Sequence, residues 1–208
     1  MLRLGAEVPI HTIPLDPDSR MMESEILMES PIPTASLTDG LVLLRPPVME
    51  DAFAVPEAIQ DPEILRWQPS IPNPYTIGHA RQWIESAQAQ WREVAPARLD
   101  LMITCQETGK LLGAAGFIPS AQNRIAEISY WLRRSARGRG LGSGSVRLLS
   151  RWILLDRRYE GASVMISAAN TSSLRLAERC GFEKERECAG VFRYVLYRKY
   201  LCRSATAK

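Results

Sequence analysis

Arg137-Gly138-Arg139-Gly140-Leu141-Gly142-Ser143-Gly144 is the stretch whose residue types and spacing best suit chemistry. Glycines at alternate positions let the backbone turn sharply and present several N–H groups together. A strand-like segment precedes the run (Ile125 to Leu132) and an apolar-periodic helix follows it (Ser145 to Tyr159). The positive end of the helix dipole therefore faces the same space. Strand, turn and helix start make a phosphate cradle, with Arg137 and Arg139 adding charge beside it; a tight loop with no ligand is the plainer alternative. A P-loop is excluded, because no Lys lies near the turn. A dinucleotide fingerprint fails too, since Ser143 and Ser145 stand where the third glycine would fall when counted from Gly138 or Gly140.

Glu127 is an acid inside the apolar run Ile125 to Leu132. On a strand it shares a face with Ser129 and Trp131, while Ile128, Tyr130 and Leu132 share the other. Burying a carboxylate without a use or a partner is costly. A proton acceptor is one reading of Glu127; an ion pair with an arginine, or plain exposure, are the others. Asn170 followed by Ser172 and Ser173 has the form of a capped helix start.

These motifs carry a resemblance. R-x-x-G-x-G, from Arg137 to Gly142, resembles the pyrophosphate-binding loop of the GNAT superfamily of N-acetyltransferases, whose ligand is acetyl-CoA. Asn170 to Phe182 reads N-x-x-S-x-x-x-x-x-x-x-G-F and resembles the GNAT segment with a pantetheine-facing Asn and Ser. Glu127 to Leu132 is similar to the fourth strand of the RimJ/RimL-type branch, which acetylates ribosomal-protein N-termini, and Trp67 fits that branch as well. Ser129 departs from it, standing where the branch often has Gly.

The resemblance implies a role for each position. The main chain of Trp131, Leu132 and Arg133 would pair with pantetheine, beside a strand that splays away. The main chain of Arg137, Gly138, Arg139, Gly140, Leu141, Gly142 and Ser143 would hold the pyrophosphate. Asn170 and Ser173 would face the cofactor, with Ser173 donating to the leaving sulfur; its own pKa is far too high for it to ionise. Glu127 would be the general base. Trp67 and Tyr75 would border the acceptor, although aromatic anchors also stiffen Pro-rich loops. Tyr194, Tyr197 and Tyr200 could supply an acid, but period-three residues on a strand alternate faces and suit packing better.

The elements that must position these residues follow from periodicity. Leu41 to Pro46 reads as a strand, Asp51 to Gln60 as a helix and Arg66 to Tyr75 as a rigid Pro-rich loop. Thr76 caps a helix reaching about Glu93. Leu99 to Gln106 and Leu111 to Ile118 form a hairpin around Gly109. Beyond the cradle helix come a strand (Ala162 to Ala168), a helix (Thr171 to Arg179) stopped at Cys180-Gly181, and a hairpin of Phe182 to Cys188 with Val191 to Leu201. This order predicts an α/β (α+β) domain: a mixed, mostly antiparallel twisted sheet flanked by helices, GNAT-like over residues 38–203. Residues 1–37, rich in Pro, Met and acids, read as a partly extended extension short of ordering contacts, and 204–208 as a tail.

The chain of 208 residues is long enough for a full core, and 46% apolar with 24% charged residues is globular composition. A net charge of +3 suits an anionic cofactor rather than bulk nucleic-acid binding. Cys105, Cys180, Cys188 and Cys202 form no CxxC pair, and with His11 and His79 they give no metal-ligand spacing. Reduced thiols, no apolar run long enough to span a membrane and no continuous signal-peptide core lead us to expect a cytoplasmic protein. The resemblance completes the expectation: an acyl-CoA-dependent N-acyltransferase working by direct attack of an amine on acetyl-CoA or another acyl-CoA. The acceptor would be a protein N-terminus or a small-molecule amine, and a homodimer is compatible. The alternative is a non-catalytic acyl-CoA-binding or interaction module on the same fold.

Overall fold

Short polar turns cut the apolar runs of this chain into strands, and the computed structural model describes residues 10–12, 36–120 and 122–201. The strands are β1 (Ile10–Thr12), β2 (Ser36–Thr38), β3 (Val42–Arg45), β4 (Leu99–Cys105), β5 (Leu111–Ile118), β6 (Ile125–Leu132), β7 (Gly161–Ser167), β8 (Glu183–Cys188) and β9 (Val191–Tyr197). They form one nine-stranded sheet in the order β1-β2-β3-β4-β5-β6-β7-β9-β8. Only β1–β2 and β6–β7 are parallel, so the expected mixed, mostly antiparallel sheet is present. The helices are α1 (Val55–Ile59), α2 (Pro62–Trp67), α3 (Ile77–Gln90), α4 (Leu141–Leu155), α5 (Thr171–Arg179) and α6 (Arg198–Leu201).

Each face of the sheet is covered by helices. Leu44, Leu101, Leu149, Ile153 and Val164 pack together on the α4–α5 side, and Val55, Ile84, Met102 and Ala114 on the α1–α3 side. Each of the Leu, Ile, Val and Met side chains, fully withdrawn from water, contributes roughly 1.5–3 kcal/mol before chain entropy is charged against it.

Several boundaries differ from the sequence reading for local reasons. Arg66 and Trp67 lie in a helix rather than a loop, because Asp61 caps it by accepting from the Glu63 N–H at 2.9 Å and Pro62 occupies its first turn. The cradle helix begins at Leu141, inside the glycine run, and ends at Leu155. Strand β9 stops at Tyr197, where a short helical turn takes over. Ser36–Thr38 belong to the sheet, with Leu37 in the core, and Ile10–Thr12 form its edge strand; the rest of the expected extension, Cys202 and the tail lie outside the described residues.

One feature of the sheet positions everything that follows. Strands β6 and β7 pair only from Ile125↔Gly161 to Ile128↔Val164. Beyond that point β6 continues to Leu132 on β5, and β7 continues to Ser167 on β9. The two parallel strands therefore separate and leave a gap in mid-sheet.

Candidate active site

The gap opens into a cleft of about 770 Å³. Its floor is the splayed end of β6, one wall is the glycine loop with the start of α4, and the other is the start of α5. Gly138 (φ +73) and Gly140 (φ +79) take the left-handed backbone that the turn requires, and nothing lies within 4 Å of where their Cβ atoms would be. The loop surface is thus open to a ligand. Gly142 is small for another reason: a Cβ there would lie 2.8 Å from Leu132 Cδ1 and 3.0 Å from Leu176 Cδ1. The first-turn N–H groups of Leu141, Gly142 and Ser143 have no intrahelical acceptors, and Gly140, Gly142 and Ser143 line the cleft. An anion is the natural occupant of such a surface.

The arginines do less at the phosphate position than their sequence placement suggests. Arg137 ties the cleft wall to α2: its guanidinium meets Asp61 at 2.9 Å and Glu63 at 2.7 Å, and its Nε donates to the Leu132 carbonyl at 2.9 Å. Arg133 reaches Glu57 at 3.0 Å on α1. Arg133, Arg139 and the Leu141 side chain do not line the cleft, and Leu141 packs on the core.

Main-chain directions refine the pantetheine expectation. The Arg133 N–H donates to Leu112 O at 2.9 Å, across β5. Alternation along a paired strand turns the main-chain groups of Trp131 toward β5 as well, and those of Tyr130 and Leu132 toward the gap. Trp131 and Leu132 both line the cleft, with side chains on opposite faces of the sheet.

Glu127 lines the cleft, is exposed, and makes no hydrogen bond or ion pair with any described residue. Of the two plainer readings of Glu127, the ion pair is not realised among the described residues and the exposure is. Across the gap, Asn170 caps α5 by accepting from the Ser173 N–H at 3.2 Å, and Asn170, Ser172 and Ser173 line the wall. Helix capping and placement in the cleft coexist there.

Tyr130, which the sequence reading did not single out, faces α5 from β6. Its hydroxyl is buried with no hydrogen-bond partner of ordinary geometry, and burial pushes the phenol up to about 12, partly offset by the nearby Ser173 side chain. Tyr194 and Tyr197 are turned elsewhere: their hydroxyls donate to Glu178 at 3.1 Å and Glu185 at 2.9 Å. Cys180 donates to the Ser143 carbonyl at 3.5 Å, and burial raises its thiol pKa, which opposes the thiolate a nucleophile needs.

Trp67 lines the main cleft beside Gln68, whereas Tyr75 is buried and lines an adjoining cavity of about 530 Å³ under α3. Gln68, Arg98, Ser129, Tyr130 and Trp131 are common to both cavities, so the two meet at β6. Among the described residues, no group of three or more His, Cys, Asp or Glu side chains converges as a metal site, and no helix is long and apolar enough to cross a membrane.

A parallel strand pair thus splays beside an open glycine-rich turn and a helix start, leaving a long cleft edged by main chain. The family model described as an acetyltransferase (GNAT) domain matches residues 42–183, and the chain belongs to that family. It is an N-acetyltransferase with acetyl-CoA as co-substrate. The chain is 27% identical over 144 residues to a protein of Bacillus licheniformis named uncharacterized N-acetyltransferase p20, covering 68% of this chain and 79% of that one. It superposes on Mycobacterium smegmatis RimJ in complex with CoA-disulfide (TM-score 0.67, 19% identity, 77% of this chain and 83% of that one). It also superposes on spermidine N-acetyltransferase from Vibrio cholerae in complex with CoA and spermine (TM-score 0.64, 15% identity, 78% and 99%). At these identities the likeness to the solved structures is one of fold.

Proposed function

We propose that this enzyme transfers acetyl from acetyl-CoA to a primary amine, either the α-amine of a protein or peptide or that of a small molecule, by direct attack in a cytoplasmic setting. The observation that carries the proposal is the pairing of opposite walls. An exposed, unpartnered Glu127 stands where β6 leaves β7, and Ser173 on α5 stands across the same gap, beside the buried Tyr130 hydroxyl that reaches it from β6.

The fit to acetyl-CoA rests on the open glycine loop, the free first-turn N–H groups and the unpaired main chain of β6. In this reading the main chain of Gly138 to Ser143 binds pyrophosphate. The main-chain groups of Tyr130 and the N–H of Leu132, whose carbonyl is taken by Arg137, face pantetheine, and Asn170 frames its exit. Acetyl-CoA supplies a thioester carbonyl that an uncharged amine can attack. An amine with a pKa near that of lysine arrives protonated at neutral pH, so a proton must leave first. Glu127 accepts it on a carboxylate oxygen, directly or through water. Ser173 Oγ, backed by the Tyr130 hydroxyl, donates toward the sulfur as negative charge develops there. Among the described residues no cysteine is disposed to carry the acyl group: Cys180 is buried, Cys188 is exposed on β8 and Cys105 sits at the end of β4.

The test is product detection by mass spectrometry for a panel of peptides and small amines incubated with acetyl-CoA. Transfer to at least one amine at a rate that scales with enzyme supports the reading. A protein that binds acetyl-CoA and transfers to none refutes it.

A further inference from the structure

Asp100 on β4, Gly116 on β5 and Ser129 on β6 are register partners, side by side across three strands on the face toward α3. Gly116 is what allows them to interact. A Cβ there would lie 2.4 Å from Asp100 Oδ1, so only glycine leaves room for the carboxylate to lie over β5. Arg98 completes the bridge: Nε donates to Asp100 Oδ1 at 2.8 Å and Nη2 donates to Ser129 Oγ at 2.7 Å. Asp100 is only 6% exposed, and burial raises its carboxyl pKa while Arg98 and Trp83 pull it down. The Arg98 side chain is 41% exposed and lines both cavities at their junction. Its orientation is fixed by two bonds, and Nη1 is left without a partner in any described residue.

We propose that the Asp100–Arg98–Ser129 bridge recognises the acceptor, holding a guanidinium at the cavity junction that selects amines bearing a carbonyl or carboxylate oxygen close to the nitrogen. An amino acid or a peptide N-terminus has this chemistry; a polyamine does not. The inference rests on the acetyl-transfer reading and names the acceptor class of that same cleft. Ser129 is two residues from Glu127 on the same face, about 7 Å along the strand. An extended peptide advances by a similar distance per two residues. An α-amine held by Glu127 therefore brings a main-chain carbonyl of its own chain within reach of Arg98. Guanidinium offers only donors. It bonds to a carbonyl oxygen but has nothing to offer a second ammonium, which it also repels. The adjoining cavity, walled by Ile71, Pro72, Tyr75 and Trp83, would take the side chain that follows.

The test compares parent, Arg98→Lys and Ser129→Ala on three acceptors: a short peptide with a free N-terminus, an alkylamine of similar length and spermine. A third variant, Arg98→Met with Asp100→Asn, leaves no unpaired buried charge should Arg98→Lys fold poorly. The parent is expected to prefer the peptide. Losing a charge-assisted hydrogen bond raises the peptide KM by about 10- to 100-fold. The alkylamine KM and the acetyl-CoA Kd should stay within about twofold, and Ser129→Ala should give a smaller rise in the same direction. A single ammonium cannot span Asp100 and Ser129, so Arg98→Lys should fail to restore the preference. An unchanged peptide-to-alkylamine ratio in the Arg98 variants overturns the acceptor assignment while leaving acetyl transfer intact, as does a parent that prefers spermine. A parent that acylates no amine overturns both.

Discussion

Glu127 has an accessible carboxylate, no competing partner and a place at the exact point where the cleft begins. Glu127→Gln keeps the shape and removes the proton acceptor, so kcat should fall by about 10²- to 10⁴-fold. The loss should be largest below the pKa of the attacking amine and should shrink above it, where free amine is abundant without help. A rate profile that overlays the parent from about pH 6 to 10 would remove Glu127 from the mechanism. In the proposed mechanism Ser173 and Tyr130 divide the opposite task. Ser173→Ala should lower kcat while the Kd for CoA moves little, because a donor to the sulfur matters most as charge develops there. Tyr130→Phe should compound the loss if the two hydroxyls act in series. If both variants change melting temperature alone, the thiolate is served by another group.

At the scale of elements, the glycine run works as two devices. Gly138 and Gly140 shape the loop, whereas Gly142 and Gly144 let α4 sit close to the sheet; a Cβ on Gly144 would lie 2.7 Å from Asp39 Oδ2. Gly140→Asp adds strain at a left-handed position and brings a carboxylate to an anion site. Calorimetry should show CoA affinity falling by at least about tenfold, roughly 1.4 kcal/mol, while circular dichroism shows the fold retained. Undiminished affinity would mean that the cofactor phosphates lie elsewhere. Helix α2, by contrast, is held by side chains: Arg137 pins it through Asp61 and Glu63 to the carbonyl of Leu132. An arginine that looks like a phosphate ligand in the sequence thus joins α2 to the end of β6.

Over the whole molecule, burial of phenols gives stability a specific pH dependence. Tyr75, Tyr130, Tyr159 and Tyr194 all have raised pKa values, chiefly from burial, and that of Tyr130 reaches about 12 against an ordinary 10.0. The folded state therefore disfavours the phenolate relative to the unfolded chain. The contribution is fully present below pH 10 and is lost as pH rises through the folded value near 12. Each group of this kind adds a slope of about 1.4 kcal/mol per pH unit within its window. Urea midpoints measured at pH 9 and 11 should fall less in Tyr130→Phe than in the parent. Parallel declines would show that Tyr130 ionises freely in the fold and is not sealed under α5.

Most strands and the glycine-rich turn are legible in the residues alone, because periodicity, glycine placement and capping act over a few neighbouring residues. The hairpin around Gly109, the strand from Ile125 to Leu132 and the helix from Thr171 to Arg179 all stand where local pattern put them. The two family-like motifs also placed Glu127, Asn170 and Ser173 on one cleft. The helix at Pro62–Trp67 was legible in principle from Asp61-Pro62, but the prolines after Trp67 masked it. The features invisible in the residues alone depend on register between distant strands. Asp100, Gly116 and Ser129 are unremarkable apart, and become a bridge because pairing of β4, β5 and β6 sets them abreast. The partners of Arg137 and the sealing of Tyr130 are likewise long-range, since a side chain's charge and pKa are set by whichever elements close around it and not by its neighbours in sequence.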